Sequence, residues 1–101
     1  MMRNNLAYDS INEVVQNGIE LSRSNYNSFS EEQFKIWFDY STRVLDMLSG
    51  TVYGRTPRYI EPSIQINYLR LSIQLMNPNI PAIQKLIACL DYLIEVLKYI
   101  K

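Results

Sequence analysis

Hydrophobic residues recur along this chain at intervals of three and four positions, which is the spacing of one face of an α-helix. The pattern predicts four helices, over about residues 5–22, 30–49, 62–76 and 80–100. No segment shows the strict alternation of polar and apolar residues that is typical of a half-buried strand. The sequence therefore predicts an all-α protein, a compact four-helix bundle that forms a single domain over residues 1–101.

The second helix carries the clearest boundary signals. Ser30 and Gln33 have the spacing of a capping box, in which each side chain binds the backbone N–H of the other residue. Glu31 and Glu32 place negative charge in the first turn, where the helix dipole favours it. Gly50 follows the last apolar position and can adopt the left-handed conformation that ends many helices. These signals predict a helix that begins just after Ser30 and ends just before Gly50.

The first helix contains a glycine, Gly18, within its apolar face. Glycine in a helix interior costs about 1 kcal/mol relative to alanine. Two interpretations stay open. Either a neighbouring helix passes close to Gly18, or the fold simply tolerates the loss.

The third and fourth helices carry more apolar surface than an outer helix of a monomeric bundle needs. One stripe suffices for that position, yet each of these helices has two. Either both helices are central and covered on both flanks, or the second stripes contact another copy of the chain, most simply in a two-fold dimer. Tyrosines at the stripe edges with their hydroxyls in water are a further alternative. The predicted interface residues are Ile66, Leu69, Ile73, Cys89, Tyr92, Val96 and Tyr99.

The connector over residues 50–61 is rich in tyrosine and arginine. Arginine forms paired hydrogen bonds with phosphate or carboxylate oxygens, and tyrosine stacks on nucleotide bases. The candidate ligand-binding residues are Tyr53, Arg55, Arg58 and Tyr59 in the connector, with Arg43 and Arg70 on the flanking helices. The alternative is a plain linker with solvated arginines, since the connector lacks the GxxxxGK[ST] phosphate-binding motif.

Composition excludes several classes of function. Ten basic and ten acidic residues cancel, so we expect no binding to duplex DNA. The absence of histidine excludes histidine-activated nucleophiles and imidazole metal sites. The single cysteine, Cys89, lies in an apolar helical pattern typical of a buried thiol. We therefore expect a protein that is not an enzyme and that needs no metal or cofactor.

The apolar segments are too short or too interrupted to cross a bilayer, and the beginning of the sequence does not resemble a signal peptide. We therefore expect a cytoplasmic protein that does not enter a membrane.

Three residues of the second helix and the glycine that follows it have the spacing Phe-x2-Trp-x7-Leu-x4-Gly; they are Phe34, Trp37, Leu45 and Gly50. The segment NGIELSRS precedes them and IQKLIACLDYLIEVL follows. Together they resemble small all-helical modules of bacterial and phage conflict proteins, which act in defence or anti-defence. The resemblance implies a role in interaction or assembly. Such modules carry a phenylalanine after the glycine, and here Tyr59 or Ile64 would stand in its place.

These observations predict a homo-oligomeric helical interaction protein without enzymatic activity, encoded by a phage or mobile element, that binds a partner macromolecule. The alternative function is sequestration of a nucleotide or other anionic small ligand through the connector.

Overall fold

The computed structural model describes residues 5–24, 27–50 and 59–100. Over these ranges the chain forms four α-helices and no strand, which confirms the predicted all-α bundle. The helices are α1 (Asn5–Ser24), α2 (Glu31–Ser49), α3 (Pro62–Gln74) and α4 (Ala82–Ile100). Their boundaries lie within two residues of the predicted ones.

Helix α4 is the central element of the bundle. It contacts each of the other three helices, whereas α1 packs on α2 and α4, and α3 packs on α2 and α4. The described parts of α1 and α3 do not contact each other, so they lie on opposite sides of the α2–α4 pair. Helix α4 is therefore covered on several sides by its own chain, while α3 is an outer helix.

The ends of α2 follow the predicted capping chemistry. The Gln33 N–H donates to Ser30 Oγ at 3.1 Å, and the Ser30 N–H donates to Gln33 Oε1 at 2.9 Å. Gly50 adopts the left-handed conformation, with φ 73°, and its N–H donates to the Met47 carbonyl. Local sequence signals therefore define this helix at both ends.

Gly18 lies where three helices approach closely. A Cβ atom at this position would lie 2.7 Å from Leu90 Cδ2 on α4 and 3.1 Å from the Trp37 ring on α2. The ring is fixed because its Nε1–H donates to the Val14 carbonyl at 3.1 Å. The structure therefore favours the first interpretation of Gly18, because α4 and α2 occupy the space that a side chain would need.

The segment before α3 is tied to the end of α2. The backbone N–H groups of Tyr59 and Ile60 both donate to the Leu48 carbonyl, at 2.7 and 3.2 Å.

Helix α3 ends at Gln74, two residues earlier than predicted. The chain tightens there, since the Met76 N–H donates to the Ile73 carbonyl, three residues back.

Among the residues that the structure describes, one charged side chain is buried in the core. The side chain of Lys85 on α4 is 7% exposed, and its Nζ lies 2.9 Å from Glu31 Oε2 in the first turn of α2. Glu31 itself is 47% exposed. The pair joins two helices that are 54 residues apart in the sequence.

A second polar contact in the core joins α2 and α3. Ser41 Oγ donates to the Phe38 carbonyl at 2.7 Å, so its oxygen accepts the Tyr68 hydroxyl at 2.7 Å. Both side chains are buried.

Candidate functional site

Helix α3 has two apolar faces, and only one of them packs on the bundle. Tyr68 is fully buried, and Ile64, Leu71 and Leu75 pack against the core on the same side. The opposite side carries three large apolar residues that a single chain leaves in contact with water, and Met76, two residues past the end of the helix, adds a fourth to this surface. This outer face consists of Ile66 (50% exposed), Leu69 (40%), Ile73 (65%) and Met76 (77%).

The outer face has little polar character. Its helical members are spaced three and four residues apart, which places them on one side of α3. Helix α3 contains no acidic residue, and its one cation, the exposed Arg70, lies one turn after Ile66 at the edge of this face. The surface is thus apolar in the middle and basic at one border.

Helix α4, in contrast, buries most of its second stripe within the chain. Cys89 is 0% exposed and Val96 is 4% exposed. These two predicted interface residues are core residues of one chain and offer no surface to a second copy, because α4 is central. Tyr92 is half-buried, and only Tyr99 is open to solvent, at 87%.

Cys89 is a buried free thiol, as predicted. Burial raises the pKa of this thiol to about 12, and a hydrogen bond with the Tyr68 hydroxyl opposes the rise. The thiol is therefore protonated at neutral pH and is not a nucleophile. Burial likewise raises the pKa of the Tyr68 hydroxyl far above its usual value.

A cleft of about 650 Å³ lies where the connector enters α3 and α4 ends. We call it the tyrosine cleft. Its aromatic and polar lining residues include Tyr59, Glu61, Asn67, Tyr92, Glu95 and Tyr99. Apolar side chains, including Ile64 and Val96, complete the lining. The volume is within the range of about 300–1,000 Å³ that small-ligand sites occupy.

The Tyr92 ring is held in place from the core side. Its hydroxyl donates to the Ile64 carbonyl at 2.8 Å, and burial raises the pKa of that hydroxyl. The ring centroid lies 5.7 Å from that of Tyr68, which stacks in turn on Phe38 at 5.0 Å. This row of rings fixes one wall of the cleft before any ligand binds.

The charged residues among the described lining of the cleft are both carboxylates. Glu61 precedes α3 and makes no capping hydrogen bond with its side chain. Glu95 forms an exposed ion pair with Lys98, with Nζ and Oε2 3.2 Å apart. The described lining therefore favours positive rather than negative ligands.

The structure describes three of the six predicted ligand-binding residues, and one of these three lines the cleft. Tyr53, Arg55 and Arg58 lie outside the described residues. Tyr59 lines the cleft, whereas Arg43 and Arg70 do not. Arg43 is paired on its own helix with Asp39, at 3.0 Å.

The sequence pattern did not indicate the contribution of Glu61, Asn67 and Glu95 to the cleft. The spacing of Tyr92, Glu95 and Tyr99 on one side of α4 was a usable signal. Without the packing of α3, however, nothing in that spacing shows that a cleft lies beside them.

A second cleft of about 550 Å³ lies between α1 and α2. Leu21, Ile36, Trp37 and Tyr40 give it a mainly apolar lining. The sequence pattern did not predict this cleft.

No group of three or more cysteine, aspartate or glutamate side chains in the described part of the chain is placed to hold a metal ion. The helices described above are also too short or too polar to cross a membrane.

No family model, curated protein or solved structure matches this chain. Functional inference therefore starts from its surfaces.

Proposed function

We propose that this protein is a non-enzymatic interaction module that forms a two-fold homodimer through the outer face of α3. In this form it binds a partner macromolecule. The observation that carries the proposal is the exposure of Ile66, Leu69 and Ile73 on one side of a helix whose other side already packs on the core, with the exposed Met76 just beyond its end. An outer helix of a monomer has no need of that second apolar face.

The magnitude of the buried surface supports a reversible dimer. Full burial of one such side chain contributes about 1.5–3 kcal/mol. Between 40% and 77% of each side chain is still to be buried. Counted over two copies, the gain is about 7–14 kcal/mol. Because association costs about 4–15 kcal/mol, the gain and the cost are of similar size, and we expect a weak, reversible dimer rather than an obligate one.

A second copy suits this face better than a charged partner surface. A two-fold axis brings the same patch of both copies together, so the patch must tolerate its own charges. Within α3 the one charged residue is Arg70, which lies at the edge of the outer face and can stay in water. The apolar centre therefore contacts its own equivalent without bringing like charges together.

The resemblance to modules of bacterial and phage conflict proteins supports the wider proposal of an assembly role, with a phage or mobile element as the source. We place the protein in the cytoplasm, where a free thiol such as that of Cys89 stays reduced.

Size-exclusion chromatography with light scattering tests the dimer. We expect the molar mass to rise from monomer to dimer between about 1 µM and about 200 µM. Ile73→Lys places a charge in the outer face and should weaken association at least about tenfold. Gln74→Lys adds the same charge at the next position, off that face, and is the matched control. A wild-type chain that stays monomeric throughout, or equal effects of the two variants, would refute the proposal.

A further inference from the structure

The tyrosine cleft is separate from the outer face of α3 and has a chemistry of its own. Three aromatic rings, from Tyr59, Tyr92 and Tyr99, line it together with the carboxylates of Glu61 and Glu95. Aromatic faces and carboxylates both carry negative potential, and both attract organic cations. We propose that the tyrosine cleft binds the alkylammonium or guanidinium group of a ligand.

The cleft has contact surfaces for both parts of such a ligand, the hydrocarbon and the charged group. Its apolar lining, which includes Ile64 and Val96, accommodates the hydrocarbon portion next to the cationic group. The rings and carboxylates then receive the charged end. Cation–π attraction also acts at exposed rings, and it strengthens where the cation is desolvated.

Two aromatic residues of the lining differ in how freely their rings can move. Tyr92 is fixed, because its hydroxyl donates to the Ile64 carbonyl at 2.8 Å and its ring stacks on Tyr68. Tyr99 is 87% exposed, so its ring can turn onto a bound cation without disturbing the core. The fixed ring defines the site, and the exposed ring adds contact on binding.

The charge of the lining distinguishes this site from the nucleotide site predicted from the connector sequence. The described residues around the cleft supply two carboxylates, Glu61 and Glu95, which repel phosphate. The ion pair of Glu95 with Lys98 is exposed, and such pairs contribute little to stability. A ligand cation can therefore replace Lys98 at Glu95.

The cation can come from a free amine or from a lysine or arginine side chain of a peptide. Calorimetry together with amide NMR shifts separates these sources. The probes are spermidine for the free amine, N-acetyl-arginine amide and N-acetyl-lysine amide for the side chains, and adenosine monophosphate and inorganic phosphate as anions. We expect at least one cationic probe to shift the amides of Tyr59, Asn67 and Glu95, and neither anion to do so.

Substitutions at exposed positions test the site without risk to the fold. Tyr99→Ala should weaken cation binding about 3- to 30-fold, whereas Tyr99→Phe keeps the ring and should bind nearly as the wild type. Glu95→Gln should weaken binding about three- to fivefold. Asp91→Asn removes an exposed carboxylate one turn earlier on α4, outside the described lining, and should have no effect.

Binding should persist in Ile73→Lys, because the cleft is independent of the proposed dimer. Three results would overturn the assignment: no cationic probe shifts cleft amides, an anion binds there more tightly than every cation, or Tyr99→Ala binds as the wild type does.

Discussion

The buried ion pair between Glu31 and Lys85 gives the sharpest test of the packing. The Lys85 side chain is only 7% exposed, and its ammonium lies 2.9 Å from Glu31 Oε2. Removal of the carboxylate by Glu31→Ala leaves a buried ammonium without its partner. A hydrogen bond to a charged group contributes about 1.5–3 kcal/mol, and the 47% exposure of Glu31 places the expected loss near the lower end.

Glu32→Ala is the matched control. Glu32 follows Glu31 in the first turn of α2 and is exposed, so its removal costs only the dipole interaction, about 0.3–1 kcal/mol. Glu31→Ala loses a similar dipole contribution together with the ion pair. We therefore expect it to lower the free energy of unfolding by about 1.5–2 kcal/mol more than Glu32→Ala does, as measured by urea titration with circular dichroism.

Substitution of the other partner, Lys85, separates the contribution of the ion pair from the other effects of Glu31→Ala. Lys85→Met keeps a long side chain and removes the buried charge, so we expect stability to be unchanged or higher. In that background, Glu31→Ala and Glu32→Ala should cost the same. Equal costs of the two substitutions in the wild-type chain, or an unchanged extra cost in Lys85→Met, would refute this account of the core.

Three further substitutions test other contacts by the same urea titration. Gly18→Ala should lower the free energy of unfolding by about 1 kcal/mol, because crowding against the fixed Trp37 ring outweighs the gain in helix propensity; a more stable variant would contradict this. Burial raises the pKa of the Asp46 carboxyl, near the negative end of the α2 dipole, so its charge destabilises the fold at neutral pH. Asp46→Asn should therefore stabilise by about 0.3–1 kcal/mol at pH 7, and the gain should vanish below about pH 3.9, where the carboxyl is protonated in both states; a constant gain would contradict this. Tyr68→Phe removes the donor to Ser41 and should cost about 0.5–1.5 kcal/mol, and no loss would contradict the buried hydrogen bond.

The parts of the fold that depend on nearby residues were predictable from the sequence. The capping box of Ser30 and Gln33 and the left-handed Gly50 are local interactions, and the structure has both as predicted. The helix boundaries follow from the same kind of signal. Local chemistry determined them, so no knowledge of the packing was needed.

The sequence did not allow a prediction of whether the second apolar stripes of α3 and α4 are buried or exposed, because periodicity does not show which helix is central. Cys89 and Val96 on α4 are covered by neighbouring helices, whereas Ile73 on α3 is open to water. Both stripes look alike in the sequence. Their burial differs because α4 is central and α3 is an outer helix, and the position of a helix in the bundle depends on the packing of the whole chain.

Contacts between residues far apart in the sequence could not be predicted either. The charges of Lys85 and Glu31 look like ordinary surface charges in the sequence, and only the packing of α4 against the start of α2 brings them together. The tyrosine cleft has the same origin, because Tyr59, Asn67 and Tyr99 come from three separate segments.

In the proposed dimer, two copies of the chain contact each other through the outer face of α3. A spin label on Arg70→Cys, at the edge of that face, reports the distance between copies by pulsed electron paramagnetic resonance. Cys89 is buried and stays unlabelled in the folded chain. Since packed helices lie about 8–10 Å apart, we expect a distance of roughly 10–25 Å between the two labels.

A label on Glu13→Cys is the control, because Glu13 is exposed on α1, on the opposite side of the bundle. It should give a clearly longer distance than the label on α3. A short distance from the α1 label, or no distance between labels on α3 at concentrations where the chain is dimeric, would contradict the claim.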